Sequence, residues 1–385
     1  LSQFLNARIY FKREDQQLVR SFKIRGAYNR MVSLTEAEKS SGIVCASAGN
    51  HAQGVAYSCY KLKIHGTIFM PVITSHQKID RVQSFGNGNI EVKLLGNTFD
   101  EAYQQSHKFS QETGAIYIHP FNDPETIAGQ GTIGYEIFRE LGKKVDFIII
   151  PIGGGGLASG IASYIKHVSP TTKIIGVEPT GAASMYESLK NDEITSLKTI
   201  DTFADGVAVK TPGDLTYQIV RNTVEQVVLV PEGRIATTMI ELYQNEGIIT
   251  EPAGALSVAA LDLISDQIKD KTVVCIISCG NNDLLRYNEI LEKSLASQGL
   301  KHYFLVEFAQ KPGQLKKFVN EVLGPNDDIV RFEYIKKTNK EKGPALVGVE
   351  QKSAEEYQQL IDRFNNSGIN YRVIQNNELL YQYIV

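Results

Sequence analysis

Tryptophan is absent from the 385-residue sequence, and cysteine and methionine are scarce, with four of each. The cysteines show neither the spacing of metal ligands nor the density of a disulfide framework, which excludes zinc-finger and disulfide-stapled classes. Cys45 and Cys275 lie within β-type runs, where a thiol behaves as a small hydrophobic group. We therefore expect reduced thiols and a cytoplasmic location.

Long apolar runs and an excess of basic charge are also missing. The longest apolar run, around residues 147–152, is far shorter than the roughly 18 residues of a membrane-spanning helix. The formal net charge is −3 at pH 7, whereas nucleic-acid-binding domains are usually strongly basic. Neither membrane nor nucleic acid is an expected partner. The chain opens at Leu1 without a signal pattern, so we expect further residues to precede it.

Short β-branched runs alternate with helix-length amphipathic stretches up to about residue 295. This rhythm predicts an α/β fold of mostly parallel sheets covered by helices. We expect two sheets, one around residues 42–120 and one built from residues 145–280. Examples of the predicted strands are Gly42–Ala46, Gly66–Met70, Ile90–Leu94, Ile116–His119, Phe147–Ile152, Lys173–Glu178 and Val273–Ser278.

The tail changes character after a boundary at residues 297–299. Its element order, βαββαβ, predicts a ferredoxin-like module. It carries no nucleophile or acid–base cluster, which favours binding over catalysis, with a packing or dimerisation module as the alternative. The predicted domains are 1–297, with a smaller subdomain at about 42–122 inserted in it, and 298–385. The tail strands are His302–Phe308, Ile329–Lys337, Ala345–Gln351 and Asn370–Ile374, with helices at Gly313–Leu323 and Ala354–Asn365 and a polar turn at Thr338–Gly343.

The first candidate for chemistry is the stretch Ser-Phe-Lys-Ile-Arg-Gly-Ala at residues 21–27. Ser21 would cap a helix that starts at Phe22. Lys23 would then lie in the first turn, where the helix dipole disfavours a cation. An amine with a lowered pKa suits Schiff-base chemistry, although a lone lysine on a helix is usually a solvated side chain.

A second candidate is the loop of residues 47–51, between a predicted strand and a predicted helix. Such a loop offers free backbone N–H groups to an anion, for which a carboxylate is a natural choice. The alternative is that the loop only caps the helix, and that His51 has its hydrogen-bond partners within the protein. The loop consists of Ser47, Ala48, Gly49, Asn50 and His51.

A third candidate is a run of glycines that follows the strand predicted at 147–152. Glycines let the backbone wrap closely round a phosphate. Gly153, Gly155 and Ala158 also fit a dinucleotide-binding spacing, with Glu178 where a ribose-binding acid would sit. A nicotinamide oxidoreductase therefore stays open on this region, although it leaves Lys23 without a role. The loop consists of Gly153, Gly154, Gly155, Gly156 and Leu157.

The fourth candidate is Ser278, at the end of a buried strand. In open α/β sheets ligands bind at the carboxyl ends of strands, so Ser278 is placed to contact a ring in that crevice. A small turn after a core strand is the alternative. Glu251 starts a predicted helix and offers a buried carboxylate, unless it is an acid favoured there by the helix dipole.

Together and in this order, these motifs resemble the second structural class of pyridoxal-phosphate enzymes, and specifically the threonine deaminases, along essentially the whole chain. Residues 77–80, 204–208 and 251–254 are similar to the family as well. The tail resembles the ACT-like regulatory module of the biosynthetic form, present once. The resemblance implies a tryptophan synthase β-like fold with two parallel-sheet subdomains, and a ferredoxin-like tail.

The resemblance also implies a cofactor site. Lys23 is expected to hold pyridoxal 5′-phosphate as a Schiff base and to act as general base, and Ser278 is the second catalytic residue, at the ring nitrogen. Phe22 is expected beside the ring, Asn50 at the ring hydroxyl, and the loop of residues 47–51 at the substrate carboxylate. The remaining cofactor-binding residues are Gly153, Gly154, Gly155, Gly156, Leu157, Gly206 and Glu251.

The implied reaction converts L-threonine to 2-oxobutanoate and ammonia, the first step of isoleucine biosynthesis, with L-serine as a further substrate. A catabolic serine/threonine dehydratase is the alternative, and a non-catalytic amino-acid sensor is disfavoured because the site set is complete. The expected effector is an isoleucine- or valine-type amino acid at residues 309–313, at a contact between paired modules. Pairing implies a homo-oligomer, a dimer or a homotetramer.

Two departures from related serine racemases refine the prediction. Those enzymes have a second serine where this chain has Ala48, so racemisation is expected to be poor. They also bind a divalent cation near the counterpart of Glu178, but the second acid of that site is replaced here by Ser184. No metal requirement is therefore expected.

Overall fold

The computed structural model describes residues 1–335, 340–374 and 379–384. The chain divides into two compact units, Leu1–Asp283 and Leu284–Val385. The domain bounds at 297 and 298 stay a prediction. Among the described residues, no helix has both the length and the apolar character needed to cross a bilayer.

The first unit contains two parallel sheets, as the alternating pattern predicts. The smaller sheet has the strand order β4-β3-β2-β5, and the larger has the order β1-β9-β6-β7-β8. The two-sheet α/β prediction is confirmed. The strands are β1 Arg8–Arg13, β2 Ile43–Ala46, β3 Gly66–Met70, β4 Ile90–Leu94, β5 Ile116–Tyr117, β6 Phe147–Pro151, β7 Lys173–Pro179, β8 Gln226–Val230 and β9 Thr272–Ile277.

Helices connect these strands, as parallel pairing requires. Their boundaries follow local signals such as the Asp123 side chain, which accepts a hydrogen bond from Thr126 N and caps the helix that begins at Pro124. The helices are α1 Lys23–Val32, α2 Glu36–Ser40, α3 Asn50–Leu62, α4 His76–Gly86, α5 Phe99–Thr113, α6 Pro124–Leu141, α7 Gly156–Val168, α8 Ser184–Asn191, α9 Asp214–Thr223, α10 Glu232–Glu246, α11 Pro252–Ala259 and α12 Ser265–Ile268.

Several sequence-based boundaries are wrong. Strands β1 and β8 were not named among the predicted strands, and β1 brings residues 8–13 into a sheet expected from residues 145–280 alone. Both are edge strands with few fully buried residues. Charged residues at both ends of β1 shorten its apolar run, whereas β8 contains the apolar run of residues 227–230, which is a strand signal in the sequence. Strand β5 ends at Tyr117 rather than His119, and α1 begins at Lys23 rather than Phe22.

The core of the larger sheet positions the cavity described below. Every residue of the central strands β6 and β9 is buried, because helices cover both faces of a parallel sheet. The loops that carry the sequence motifs follow β2, β6 and β9. Since the strands within each sheet are parallel, these motifs lie at the carboxyl ends of the strands, where such folds bind ligands.

The second unit is an antiparallel sheet with helices, in the predicted order βαββαβ after an initial helix. Its strand order is β11-β12-β10-β13, and Phe304, Phe318 and Phe364 are its largest buried side chains. Strand β11 ends before the predicted Lys337, and residues 336–339 lie outside the described residues. The elements are α13 Tyr287–Ser297, β10 Lys301–Ala309, α14 Gln314–Glu321, β11 Asp328–Tyr334, β12 Lys342–Glu350, α15 Glu356–Ser367, β13 Asn370–Ile374 and α16 Leu379–Ile384.

Helices α6 and α7 approach closely at Gly160, which yields a stability prediction. A Cβ atom at Gly160 would lie 2.4 Å from Ile127 O and 2.6 Å from Gly131 N. We expect Gly160→Val to lower the free energy of unfolding by about 1–3 kcal/mol or more, since overpacking forces backbone shifts. Denaturant unfolding followed by circular dichroism measures this. Ser163→Val, on the exposed face of the same helix, is the matched control and should cost only a few tenths of a kcal/mol. Equal effects of the two variants would contradict the close approach.

Candidate active site

A cavity lies where the loops after β5, β6 and β9 meet the start of α1. Of the predicted site residues, it brings together Phe22, Lys23, Asn50, the glycine loop, Gly206 and Ser278. The remaining lining residues were not among the predicted site residues: Phe121, Pro151, Val207, Val209, Ala253 and Cys279.

Lys23 lies in the first turn of α1 with its amine buried inside the protein. Its Nζ donates a hydrogen bond to Pro120 O at 2.9 Å and lies 5.2 Å from the centre of the Phe22 ring. Burial lowers the pKa of Lys23 to about 8, because removal from water penalises the charged form. The sequence predicted a lowered pKa from the helix dipole, but the main cause in the structure is desolvation.

Backbone contacts join the start of α1 to the end of β9. Phe22 N donates to Ser278 O at 3.1 Å, and Ser21 Oγ accepts a bond from Lys23 N at 3.3 Å. Ser278 itself is buried, and its Oγ lies 3.3 Å from Ala253 O. Lys23 and Ser278, far apart in sequence, therefore line one cavity.

The glycine loop wraps the cavity so closely that side chains would not fit. Gly155 has φ +94°, a left-handed conformation that disfavours other residues. A Cβ atom at Gly154 would lie 2.4 Å from the Phe121 ring, and one at Gly153 would lie 2.9 Å from the Val207 backbone. Helix α7 begins at Gly156, so its first N–H groups have no acceptor within the helix. The loop is therefore a cradle that fits a phosphate group.

A buried carboxylate anchors Asn50 across the cavity. Asn50 Nδ2 donates to Glu251 Oε1 at 2.8 Å, and Asn50 Oδ1 accepts from Asn281 Nδ2 at 2.7 Å. Cys279 Sγ lies 2.9 Å from Glu251 Oε1, and Asn281 N donates to Glu251 Oε2 at 3.2 Å. These bonds fix the orientation of the Asn50 amide before any ligand arrives.

The surroundings of Glu251 oppose its ionisation. Burial raises the pKa of Glu251 above its usual range, and the nearby charge of Asp205 raises it further. Gly206 is in close contact, because a Cβ atom there would lie 2.5 Å from Glu251 Oε1. Glu251 does not line the cavity itself, and it reaches the cavity through Asn50, Cys279 and Gly206.

The loop of residues 47–51 adjoins the cavity, and of its members only Asn50 is a lining residue. Ser47 Oγ accepts a hydrogen bond from Gly49 N at 3.2 Å, and Ala48 packs against the core of the smaller sheet. His51 is buried, its Nε2 lies 2.8 Å from Ile118 O, and its Nδ1 has no partner among the described residues. Burial lowers the pKa of His51 to about 3, so the ring is neutral.

Comparison with known families identifies the chemistry that this cavity fits. Residues 1–280 match the family of pyridoxal-phosphate dependent enzymes. Residues 292–384 match the C-terminal regulatory domain of threonine dehydratase. The chain belongs to the threonine dehydratase family of pyridoxal-phosphate dependent enzymes. The predicted family and cofactor class are confirmed.

Individual relatives extend this likeness over the whole chain. The biosynthetic L-threonine dehydratase of Halalkalibacterium halodurans is 50% identical over all of this chain and 93% of its own length. That of Bacillus subtilis is also 50% identical, over 91% of its length. A solved structure of threonine deaminase isoform 2 from Solanum lycopersicum has a TM-score of 0.74 and 43% identity, covering 76% of this chain and 80% of that chain.

The contacts of Glu178 argue against the hypothesis that the glycine loop binds a nicotinamide dinucleotide. Both Glu178 carboxyl oxygens accept backbone hydrogen bonds, from Met185 N at 2.9 Å and Tyr186 N at 2.7 Å. Glu178 is buried, and burial raises its pKa to about 8. The carboxyl group is thus engaged at the start of α8, whereas the dinucleotide reading needs it at a ribose.

Sequence reasoning missed the turn between β5 and α6, which contributes the Phe121 ring to the lining of the cavity and Pro120 O as the acceptor of Lys23 Nζ. No motif marks this turn, because its contribution is a backbone carbonyl and an aromatic ring. Asp123 followed by Pro124 is a helix-start signal. It would have located the end of the turn, but not its contact with Lys23.

The cradle makes a prediction about cofactor binding. We expect Gly155→Ala to weaken the affinity for pyridoxal phosphate by about tenfold or more, because the added Cβ would meet Met185 and Thr216 at 2.8 Å in a left-handed backbone. Gly114→Ala has a similar φ, +75°, but open space around it, so it reports backbone strain alone. Fluorescence titration of the apoprotein measures both affinities. Similar losses in the two variants would contradict the phosphate cradle.

Proposed function

We propose that the protein is a pyridoxal-phosphate-dependent threonine ammonia-lyase that converts L-threonine to 2-oxobutanoate and ammonia, with L-serine as a further substrate. The observation that carries the proposal is the buried Lys23 amine, which shares one cavity with the glycine cradle and Ser278. The membership of the threonine dehydratase family selects the reaction among those that such a cavity supports.

The residues of the cavity fit the cofactor. We assign the phosphate to residues 153–157, the ring hydroxyl to Asn50 and the ring nitrogen to Ser278. Phe22 lies beside the place of the ring, and Gly206 completes the lining. Glu251, which was expected to bind the cofactor directly, supports the site through its hydrogen bond from Asn50. When bound, pyridoxal phosphate withdraws electrons from the substrate Cα, which makes loss of the Cα proton and of the β-hydroxyl easier.

Lys23 supplies the base. A pKa of about 8 leaves a useful fraction of the amine neutral near neutral pH, as general-base catalysis requires. The freed amine accepts the Cα proton of the substrate. Pro120 O accepts a hydrogen bond from the same Nζ. One N–H bond therefore points at Pro120 O, and the nitrogen lone pair points away from that oxygen.

Ser278 selects the type of reaction. A carboxylate at the ring nitrogen would keep that nitrogen protonated, whereas a serine hydroxyl does not hold a full proton there. The negative charge that develops at Cα is then less delocalised into the ring. This favours β-elimination over transamination.

The loop of residues 47–51 is assigned to the substrate carboxylate. It adjoins the cavity at Asn50 and includes the first residues of α3, whose N–H groups have no acceptor within the helix. Ala48 packs into the core of the smaller sheet and carries no acid–base group. Racemisation, which needs a proton donor on the opposite face of Cα, is therefore expected to be poor.

The C-terminal regulatory domain favours the biosynthetic reaction over a catabolic dehydratase, and we place the reaction first in isoleucine synthesis, in the cytoplasm. We assign residues 309–313, between β10 and α14, to an isoleucine- or valine-type effector. Pairing of two such modules implies a homodimer or homotetramer. A divalent metal is not required in this proposal.

Replacing Lys23 tests the proposed reaction. We expect the wild type, supplied with pyridoxal phosphate, to form 2-oxobutanoate from L-threonine. Lys23→Ala should lower kcat by about 100-fold or more, because the base is lost. Lys190→Ala, an exposed lysine on α8, should match the wild type. The product is measured as its phenylhydrazone. Undiminished turnover by Lys23→Ala would refute the mechanism.

The regulatory assignment makes a separate prediction. L-isoleucine should lower threonine turnover by the full-length protein. It should also change the sedimentation coefficient or the midpoint temperature of thermal unfolding, because an effector that binds one state preferentially shifts the equilibrium toward that state. D-isoleucine is the matched control and should have no effect. Turnover and midpoint that are both indifferent to L-isoleucine would refute the effector assignment and leave the lyase assignment intact.

A further inference from the structure

The turn of residues 118–123 contacts two parts of the cavity lining, Lys23 and the glycine loop. Pro120 O accepts the hydrogen bond from Lys23 Nζ at 2.9 Å. The Phe121 ring lies so close to Gly154 that a Cβ there would be 2.4 Å from it. This turn, which carries no sequence motif, therefore contacts both the proposed base and the proposed phosphate cradle.

His119 holds the turn through one ring nitrogen. Its Nδ1 accepts hydrogen bonds from Phe121 N at 3.2 Å and from Asn122 N at 2.8 Å. Aspartate and asparagine side chains use the same pattern when they accept from N–H groups just ahead in a turn. The His119 ring also contacts the Phe121 ring edge-on, with centroids 4.7 Å apart.

The acceptor role requires a particular form of the imidazole. A nitrogen that accepts two N–H groups carries no proton, so the proton of the neutral ring lies on Nε2. Burial lowers the pKa of His119 to about 4; the charges of Lys23 and His107 lower it further, and those of Asp123 and Asp214 oppose this. The ring is therefore neutral, and Nδ1 is free to accept, throughout the neutral pH range.

We propose that His119 is a positioning residue for the reaction: its Nδ1 holds the turn that aims the Pro120 carbonyl at the Lys23 amine and sets the Phe121 ring against the glycine loop. The inference rests on the proposed lyase function. Because the carbonyl takes one N–H of the free amine, the lone pair of Nζ is oriented before it accepts a proton. Loss of the acceptor would release the carbonyl and the ring together.

Two substitutions at position 119 separate the acceptor from the ring. His119→Phe keeps an aromatic ring beside Phe121 but leaves two N–H groups without a partner. His119→Asn removes the ring but restores an oxygen that accepts from the same N–H groups. The readouts are kcat and KM for threonine, the dissociation constant of pyridoxal phosphate from the apoprotein, and the unfolding midpoint.

We expect His119→Phe to lower kcat and weaken cofactor affinity by about tenfold or more, because unsatisfied N–H groups are costly. The KM for threonine should change less than kcat, because the two N–H groups that His119 Nδ1 accepts belong to Phe121 and Asn122, and neither is in the proposed carboxylate loop. His119→Asn should stay within about threefold of the wild type in kcat and cofactor affinity. If His119→Phe lowers only the unfolding midpoint, or if His119→Asn is no better than His119→Phe, the proposal is overturned.

A measurement on the wild type tests the proposal even if the variants do not fold. Nitrogen-15 NMR of the protein with labelled histidines distinguishes the two neutral tautomers of His119. A proton on Nε2 supports the proposal, and a proton on Nδ1 overturns it. The outcomes also separate the two claims. A wild type without threonine turnover refutes the lyase function, whereas an active wild type matched by His119→Phe refutes the role of His119.

Discussion

The burial of a lysine amine is the constraint on which the rest of the site depends. An unpaired ammonium inside a protein is costly. Burial lowers the pKa of Lys23 to about 8, and within the described part of the chain its amine donates to one carbonyl, Pro120 O. The same burial that penalises the charged amine makes it available as a base near neutral pH. The Pro120 carbonyl accepts one N–H of this amine, while Cys279 and Glu251 favour its charged form and partly oppose the effect of burial.

Parallel topology explains how distant residues reach one cavity. The strands of each sheet run in one direction, so the loops after β6 and β9 lie at one edge of the larger sheet, and the loop after β2 and the turn after β5 lie at one edge of the smaller sheet. Between them they supply the glycine cradle, Ser278, Asn50 and the Pro120 carbonyl. Glycines allow these segments to pack closely: Gly154 lies against the Phe121 ring, and Gly206 lies against the Glu251 carboxyl group.

The sequence predicted the fold class, the buried strands and the motif loops, because buried parallel strands and glycine-rich turns leave strong local signals. It did not predict β1, whose short apolar run has charged residues at both ends, and it passed over the apolar run of residues 227–230 in β8. Nor did it predict the acceptor of Lys23 or the bond between Asn50 and Glu251. Those contacts join residues some 100–200 positions apart, and Pro120 contributes only a backbone carbonyl, which no side-chain pattern marks.

The central claim is that Lys23 is the cofactor-binding lysine, and chemical trapping tests it most directly. Borohydride reduction of the holoprotein makes the cofactor–lysine linkage permanent, and peptide mass spectrometry then locates it. We predict a phosphopyridoxyl group on Lys23 of the wild type, and no such group in Lys23→Ala. The same label on another lysine, with Lys23 unmodified, would contradict the account.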